Sequence, residues 1–309
     1  MSMTRYAISR LIATIPTLIV LTIVVFLMLQ LVPGDPAEIF LGEKRSTPEL
    51  LEQVRHDMGL DRPLYIQYLS YMGNVVRGDL GTSLFNNQPV VGQIVTALPY
   101  TLTLALSALL ISTVLGVGLG IISALKHNTW IDSLAMGFAL LGVSMPVFWL
   151  SMLLILLFSV NLKWFPPMGQ GSLDRLVLPA LALGLLSSAT LARLVRSSML
   201  DVLSDDYIRT ARAKGLRRNT VVIRHALRNA LIPAVTVMGL QFGGLISVAV
   251  ITETIFARVG LGRMYVESIL NKDITMIQGL TLVLAIIIMS INILVDLSYA
   301  VLDPRIRYE

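Results

Sequence analysis

The sequence predicts an all-α, polytopic membrane protein with six transmembrane helices. Hydrophobic residues make up 55% of the 309-residue chain and charged residues only 14%, where a soluble domain carries about 25% charged. Mean hydropathy is +0.77, more apolar surface than a single soluble core hides. The apolar residues fall in long unbroken runs without strand-like alternation, the pattern of helices. About 20 such residues cross roughly 30 Å of hydrocarbon, where only helices or closed barrels satisfy their own backbone.

Six runs qualify. The first is Leu11–Leu31, with Pro16 near its start. It follows Arg5 and Arg10, exceeds the apolar part of a signal peptide and lacks a small-x-small cleavage site, so it reads as a retained span. The second is Thr101–Leu125, entered through Pro99. The third is Ser133–Val160, interrupted by Pro146, which either kinks the span or serves as a packing device. The fourth, Leu176–Ala192, is short and rich in Ala, Gly and Ser. The fifth is Leu231–Ile251, starting at Pro233 and holding Gln241, a residue for the interior or for a neighbouring helix. The sixth is Ile277–Tyr299. Spans two and three carry no charge, as expected when a central charge costs about 2.5–3.5 kcal/mol.

The chain reads as one transmembrane domain, 1–309, with three soluble stretches. An insertion at 32–100 opens on turn residues Pro33-Gly34-Asp35-Pro36 and holds an amphipathic helix over Pro48–Met58. A stretch at 193–230 is basic and helical. A third, 252–276, contains Gly260 and Gly262, which predict a tight turn between short helices. Segments 1–10, 126–132, 193–230 and 300–309 lie on one side of the bilayer and hold fourteen Lys and Arg, nine of them between Arg193 and Arg228. The 32–100 insertion has five basic and eight acidic residues. This asymmetry places both termini in the cytoplasm. The net charge of +5 then reflects topology and membrane lipid, with no nucleic acid partner expected.

The chemistry expected of the chain is sparse. It has no cysteine, which excludes disulfides, thiolate metal sites and Cys nucleophiles. No Gly-Lys dipeptide occurs, so there is no phosphate loop, and any ATP-driven work needs a separate polypeptide. No ionisable residue sits at mid-span; Asp296 lies within one turn of the cytoplasmic end of span six. His56 falls outside and His127 and His225 inside, without metal-ligand spacing. No catalytic residue, metal or cofactor is expected in this chain. A membrane-embedded enzyme or assembly scaffold is the alternative of another class.

The basic stretch is the most informative. Ser204 or Asp205 is placed to cap a helix, with Asp206 in its first turn. Tyr207, Arg209, Thr210, Ala211, Arg212, Ala213 and Lys214 follow, and Gly215 closes the helix in a left-handed conformation. Tyr207, Ala211 and Gly215 recur every fourth residue and predict a small-residue face. A second short helix runs from Asn219 through Arg228. Two readings stand open from pattern alone: helices that dock into a groove on another protein, or a loop that fixes topology and touches anionic lipid.

Motifs run the length of the chain: Val32-Pro33-Gly34-Asp35-Pro36, Met58-Gly59-Leu60-Asp61-Arg62-Pro63-Leu64 and Gly78-Asp79-Leu80-Gly81-Thr82-Ser83. Val143-Ser144-Met145-Pro146, Tyr207 through Gly215, Arg224-His225-Ala226-Leu227-Arg228-Asn229-Ala230 and Asp303-Pro304-Arg305-Ile306-Arg307 follow in order. In these stretches, from end to end, the chain resembles the dipeptide, oligopeptide and glutathione permease subunits of bacterial ABC importers. The resemblance implies the type I ABC importer permease fold in the bacterial inner membrane, and a pathway for short peptides shared with a second homologous permease. It implies two cytoplasmic ATPase subunits, which hold ATP and Mg, and a periplasmic substrate-binding protein. It also implies that 204–229 is the ATPase-coupling segment, with Asp205, Asp206, Tyr207, Arg209, Thr210, Ala211, Ala213, Lys214, Gly215, His225, Leu227 and Arg228 as its residues. The chain departs from the general importer motif, which opens on Glu-Ala-Ala and ends on Ile-x-Leu-Pro. Arg209-Thr210-Ala211 stands at the first, and of the later positions only Leu227 agrees. Val259-Gly260-Leu261-Gly262 and Lys272-Asp273-Ile274-Thr275 also differ from the common Pro-Gly-x-Gly and Arg-Asp-Tyr-Pro. A permease for nickel or another small solute is the alternative within the same architecture.

Overall fold

The structure, a computed structural model, describes residues 3–31, 36–41, 47–57 and 59–302. The Val32–Asp35 part of the first turn motif, Met58 and the Asp303–Arg307 motif lie outside the described residues. Among the described residues the chain is helical, with one isolated bridge between Thr82 and Pro89. The helices are α1 (Met3–Leu31), α2 (Pro36–Leu41), α3 (Pro48–Asp57), α4 (Leu64–Val76), α5 (Val90–Leu125), α6 (Trp130–Ser144) and α7 (Val147–Leu154). They continue with α8 (Asp174–Ser204), α9 (Asp206–Ala213), α10 (Arg218–Thr220), α11 (Leu227–Ala230), α12 (Ile232–Ile255), α13 (Leu261–Leu270) and α14 (Ile274–Leu302). Two π-helical turns, Ile155–Asn161 and Val221–Ala226, extend α7 and join α10 to α11.

Helices α5, α8, α12 and α14 are long and apolar enough to cross a membrane, and α6 with α7 and its π-helical extension makes a fifth if the bent pair is one span. The described apolar stretch of α1, Ile12–Leu27, is shorter. The contacts divide the chain into two compact units, one of residues 1–99 and 263–290, the other of residues 100–262 and 291–309.

In the first unit α1 meets α4 through aromatic and polar contacts. The Phe26 and Tyr68 rings pack edge to face at 5.5 Å, and the Thr22 and Tyr68 hydroxyls share a 2.9 Å hydrogen bond. Asp273 caps α14 by accepting from Met276 N at 3.2 Å, and the same carboxylate takes the Ser83 hydroxyl and Leu84 N. The predicted amphipathic helix is α3, which buries no residue within this chain.

The second unit is built around α8. Small residues let its neighbours approach closely. A Cβ on Gly120 of α5 would lie 2.7 Å from Val195 Cβ, and one on Gly142 of α6 would lie 2.5 Å from the Leu185 carbonyl oxygen. On α8 itself, a Cβ at Gly184 would meet Ile111 at 2.7 Å. Gln241 of α12 donates to the Ser187 carbonyl at 3.1 Å, so it bonds a neighbouring helix. Pro146 is a break and not a gentle kink. Met145 before it is extended (φ −100°, ψ 131°), as a residue preceding proline prefers, and α6 and α7 are bent by 108°.

The fourth apolar run and the start of the basic, helical stretch form one helix, α8, which continues unbroken to Ser204, 31 residues in all. The segment 193–204 has no Gly or Pro to stop it, and Val195 and Met199 keep a buried face going. Charge marks the membrane edge; it does not end a helix. The expected turn falls between α12 and α13, and Ala257 carries its positive φ at 49°, while neither Gly260 nor Gly262 has one. They are glycines for want of space. A Cβ on Gly260 would lie 2.2 Å from Glu253 Oε1, and one on Gly262 would lie 2.4 Å from Val250 Cα. That room lets Glu253 accept from Gly262 N at 2.8 Å and from the Thr101 hydroxyl at 2.6 Å.

Candidate functional site

The stretch singled out in the sequence forms a short helix suspended from the end of α8. Asp205 is extended (φ −64°, ψ 148°) and occupies the N-cap position of α9, but no side-chain capping bond is made. Ser204, the other candidate cap, instead donates back to the Asp201 carbonyl at 2.7 Å. The expected side-chain cap is therefore absent; what favours the N-terminus is Asp206 in the first turn, which also faces Arg209 at 3.4 Å.

The C-terminal expectation holds in detail. Gly215 has φ +77°, its N–H bonds the Arg212 carbonyl at 2.9 Å, and the Leu216 N–H bonds the Ala211 carbonyl at 3.4 Å. This is a Schellman closure, which satisfies carbonyls the helix end would leave orphaned. Nothing lies within 4 Å of where a Gly215 Cβ would be, so conformation alone demands glycine.

Packing decides which face is free. Ile208 and Ala211 are buried in an apolar cluster with Ala124, Val195, Met199 and Val221. The expected small face is thus divided: Ala211 is spent on the chain's own core and is closed to a partner. Tyr207 is tied inward too, its hydroxyl accepting from Asn229 Nδ2 at 2.9 Å and donating to the His225 carbonyl at 3.5 Å. His225 and Leu227 are half-buried. Asp205, Asp206, Arg209, Thr210, Ala213, Lys214, Gly215 and Arg228 stay exposed. They present a polar surface of mixed charge, three cations and two carboxylates, on and beside a firmly seated helix. Beside it lies a cavity of about 450 Å³ walled by Ala124, Leu125, Leu203, Arg212, Leu216 and Val221.

A second cluster escaped the sequence reading. Asp132, buried in the first turn of α6, accepts from Arg196 Nε (to Oδ1) and Nη2 (to Oδ2), each at 2.9 Å. It also takes the Ser123 hydroxyl and Asn128 N. His127 Nδ1 stands 3.0 Å from Arg196 Nη2. No local pattern joins positions 64 apart. The one signal was an isolated carboxylate at the very edge of a charge-free span, where an unpaired charge is expensive.

In the other unit a cavity of about 320 Å³ is lined by Phe26, Arg62, Gln67, Tyr71, Asp79 and Gln278, among others. Burial pushes the Tyr71 phenol up to about 12. Among the described residues no three His, Asp or Glu side chains are grouped to hold a metal.

Comparison with known proteins places this geometry. Residues 116–308 match the family described as binding-protein-dependent transport system inner membrane component, and residues 3–105 match its N-terminal companion. The chain is 43% identical over 307 residues to the glutathione transport system permease protein GsiC of Escherichia coli, covering 99% of this chain and 100% of that one. It is 42% identical over 334 residues to the dipeptide transport system permease protein DppB of Alkalihalophilus pseudofirmus, covering 99% and 100%. Among solved structures, an inward-facing MetNI methionine ABC transporter matches with TM-score 0.59 at 17% identity, over 68% of this chain and 96% of that one. An amino acid ABC transporter matches with TM-score 0.52 at 16% identity, over 67% and 92%. The fold is that of ABC importer permeases.

Proposed function

Because the chain belongs to the family of binding-protein-dependent transport system inner membrane components, we propose that it forms the translocation pathway of an ATP-driven importer for short peptides, glutathione-like or dipeptide in size. The observation that carries this is likeness along nearly the whole chain to a glutathione and a dipeptide permease. Family members are multi-pass membrane components that work with a second permease, ATPases and a binding protein. We assign this chain a homologous permease partner, two cytoplasmic ATPases that hold ATP and Mg, and a periplasmic binding protein.

In this reading α1 also crosses the membrane, which brings the count to six, and both termini are cytoplasmic, in keeping with the basic residues of 193–230. The exposed face of α9 with Arg228 is the surface the ATPases grip. ATP biases an inward–outward equilibrium only as far as it favours one state. A coupling helix must therefore move as a rigid piece, and the Schellman closure, the buried Ile208 and the Tyr207–Asn229 bond supply that rigidity.

The test is uptake into vesicles holding this chain with its partner permease, ATPases and binding protein, offered dipeptides, tripeptides, glutathione and nickel. ATP-dependent loss of peptides from the medium supports the assignment. Loss of nickel alone moves the cargo to a metal ion, and no ATP-dependent loss in an intact complex overturns the assignment.

A further inference from the structure

We infer that Asp132 and Arg196 are positioning residues for energy coupling, locking the α5–α6 turn to the stem from which the coupling helix hangs. This rests on the reading of α9 as the element the ATPases move.

A single carboxylate ties three elements together. Asp132 belongs to α6, Ser123 to α5 and Arg196 to α8, and the Asn128 amide comes from the turn between α5 and α6. Arg196 meets it with two parallel N–H bonds of 2.9 Å, the planar fork that fixes direction as well as distance. Asp132 and Ser123 are buried and Arg196 is half-buried. Arg196 lies two turns before Ser204, where α8 gives way to α9.

Without this pair, what joins the α5 end to the coupling helix is apolar. Ala124 packs in the cluster that holds Ile208 and Ala211, and such contacts are non-directional. Higher up, Gly116 and Gly120 bring α5 onto α8 with no room for a Cβ. The ion pair adds a directional bond at the cytoplasmic end of the same seam. A displacement of α9 is then delivered to α5 and α6 together with α8, as one piece, the condition for coupling to travel through a packed network.

The experiment uses the full complex in lipid vesicles, with Asp132→Asn, Arg196→Gln and the double variant carrying both. Co-purification of the ATPases first establishes assembly. The single variants should keep ATP hydrolysis while uptake per ATP falls about tenfold, the usual scale of a coupling term between sites, and the double variant should lose little more than either single, as partners in one contact do. Because the chain has no cysteine, spin labels at Lys126→Cys and Arg217→Cys give a second readout. Their distance distribution should be narrow in the parent and broad in Asp132→Asn. Unchanged uptake per ATP in the singles overturns the inference. So does a proportional loss of hydrolysis and uptake, a double variant whose loss is the product of the two single losses, or a label distribution the same in parent and variant. A parent complex that takes up no peptide refutes the transport assignment instead, and the label distances still decide the clamp.

Discussion

At the scale of single residues, the two ends of α9 are held by different means, and substitutions should separate them. Gly215 sits at φ +77° in open space. Gly215→Val forces a β-branched residue into that conformation at about 1–2 kcal/mol, and should lower uptake per ATP and speed amide exchange over 206–216. Gly215→Asn, which visits the left-handed region readily, should retain both. At the other end Asp205 makes no side-chain cap. Asp205→Ala should therefore shift thermal stability by less than the roughly 0.5–2 kcal/mol that a lost N-cap costs; a loss in that range, read by denaturation in detergent, would show that a capping bond forms in solution.

At the scale of helices, the seam between α5 and α8 offers a paired test. Gly120 has Val195 Cβ 2.7 Å from where its own Cβ would be, whereas Gly118 has nothing within 4 Å. Gly120→Val should destabilise the protein by about 1–3 kcal/mol through overpacking, and Gly118→Ala should be nearly neutral, both measured as melting of the purified chain. Elements of this kind divide what a sequence reveals from what it conceals. The apolar runs, the Pro146 break, the α3 helix and the closure at Gly215 are written in local composition and turn chemistry, and were readable. The helical character of 193–204 was readable too; its continuity with the fourth run was not, because charge at Arg193 marks a membrane edge without saying whether the helix breaks there. Gly260 and Gly262 were readable as a turn, but what forbids a side chain there, Glu253 at Gly260 and Val250 at Gly262, is met only in three dimensions. The inward turn of Ala211 and the Asp132–Arg196 pair likewise depend on long-range packing that spacing does not encode.

At the scale of the whole molecule, the proposed topology and the packing of the second unit make separate claims. A reporter fused after Glu309 should read cytoplasmic, and a periplasmic signal would refute the six-span count. Helix α8, at 31 residues, is about 46 Å long at 1.5 Å per residue, longer than the roughly 30 Å hydrocarbon layer. In the proposed coupling reading, a rod of that length would carry movement from Ser204 into the bilayer, and it is braced by α5, α6 and α12 along its course.

The glycines of that brace have a bearing on inheritance. Every missense change open to a glycine codon by one base adds a Cβ, since no amino acid is smaller. At Gly116, Gly120, Gly142 and Gly184 that atom would land under 3.0 Å from a neighbour, so no single-base missense mutation at these four codons is conservative in volume. Nor can the opposite wall make room by trading side chains, because backbone carbonyls of Ser188, Ala192, Leu185 and Ala108 crowd the same four positions; drift along this seam requires the helices themselves to move apart.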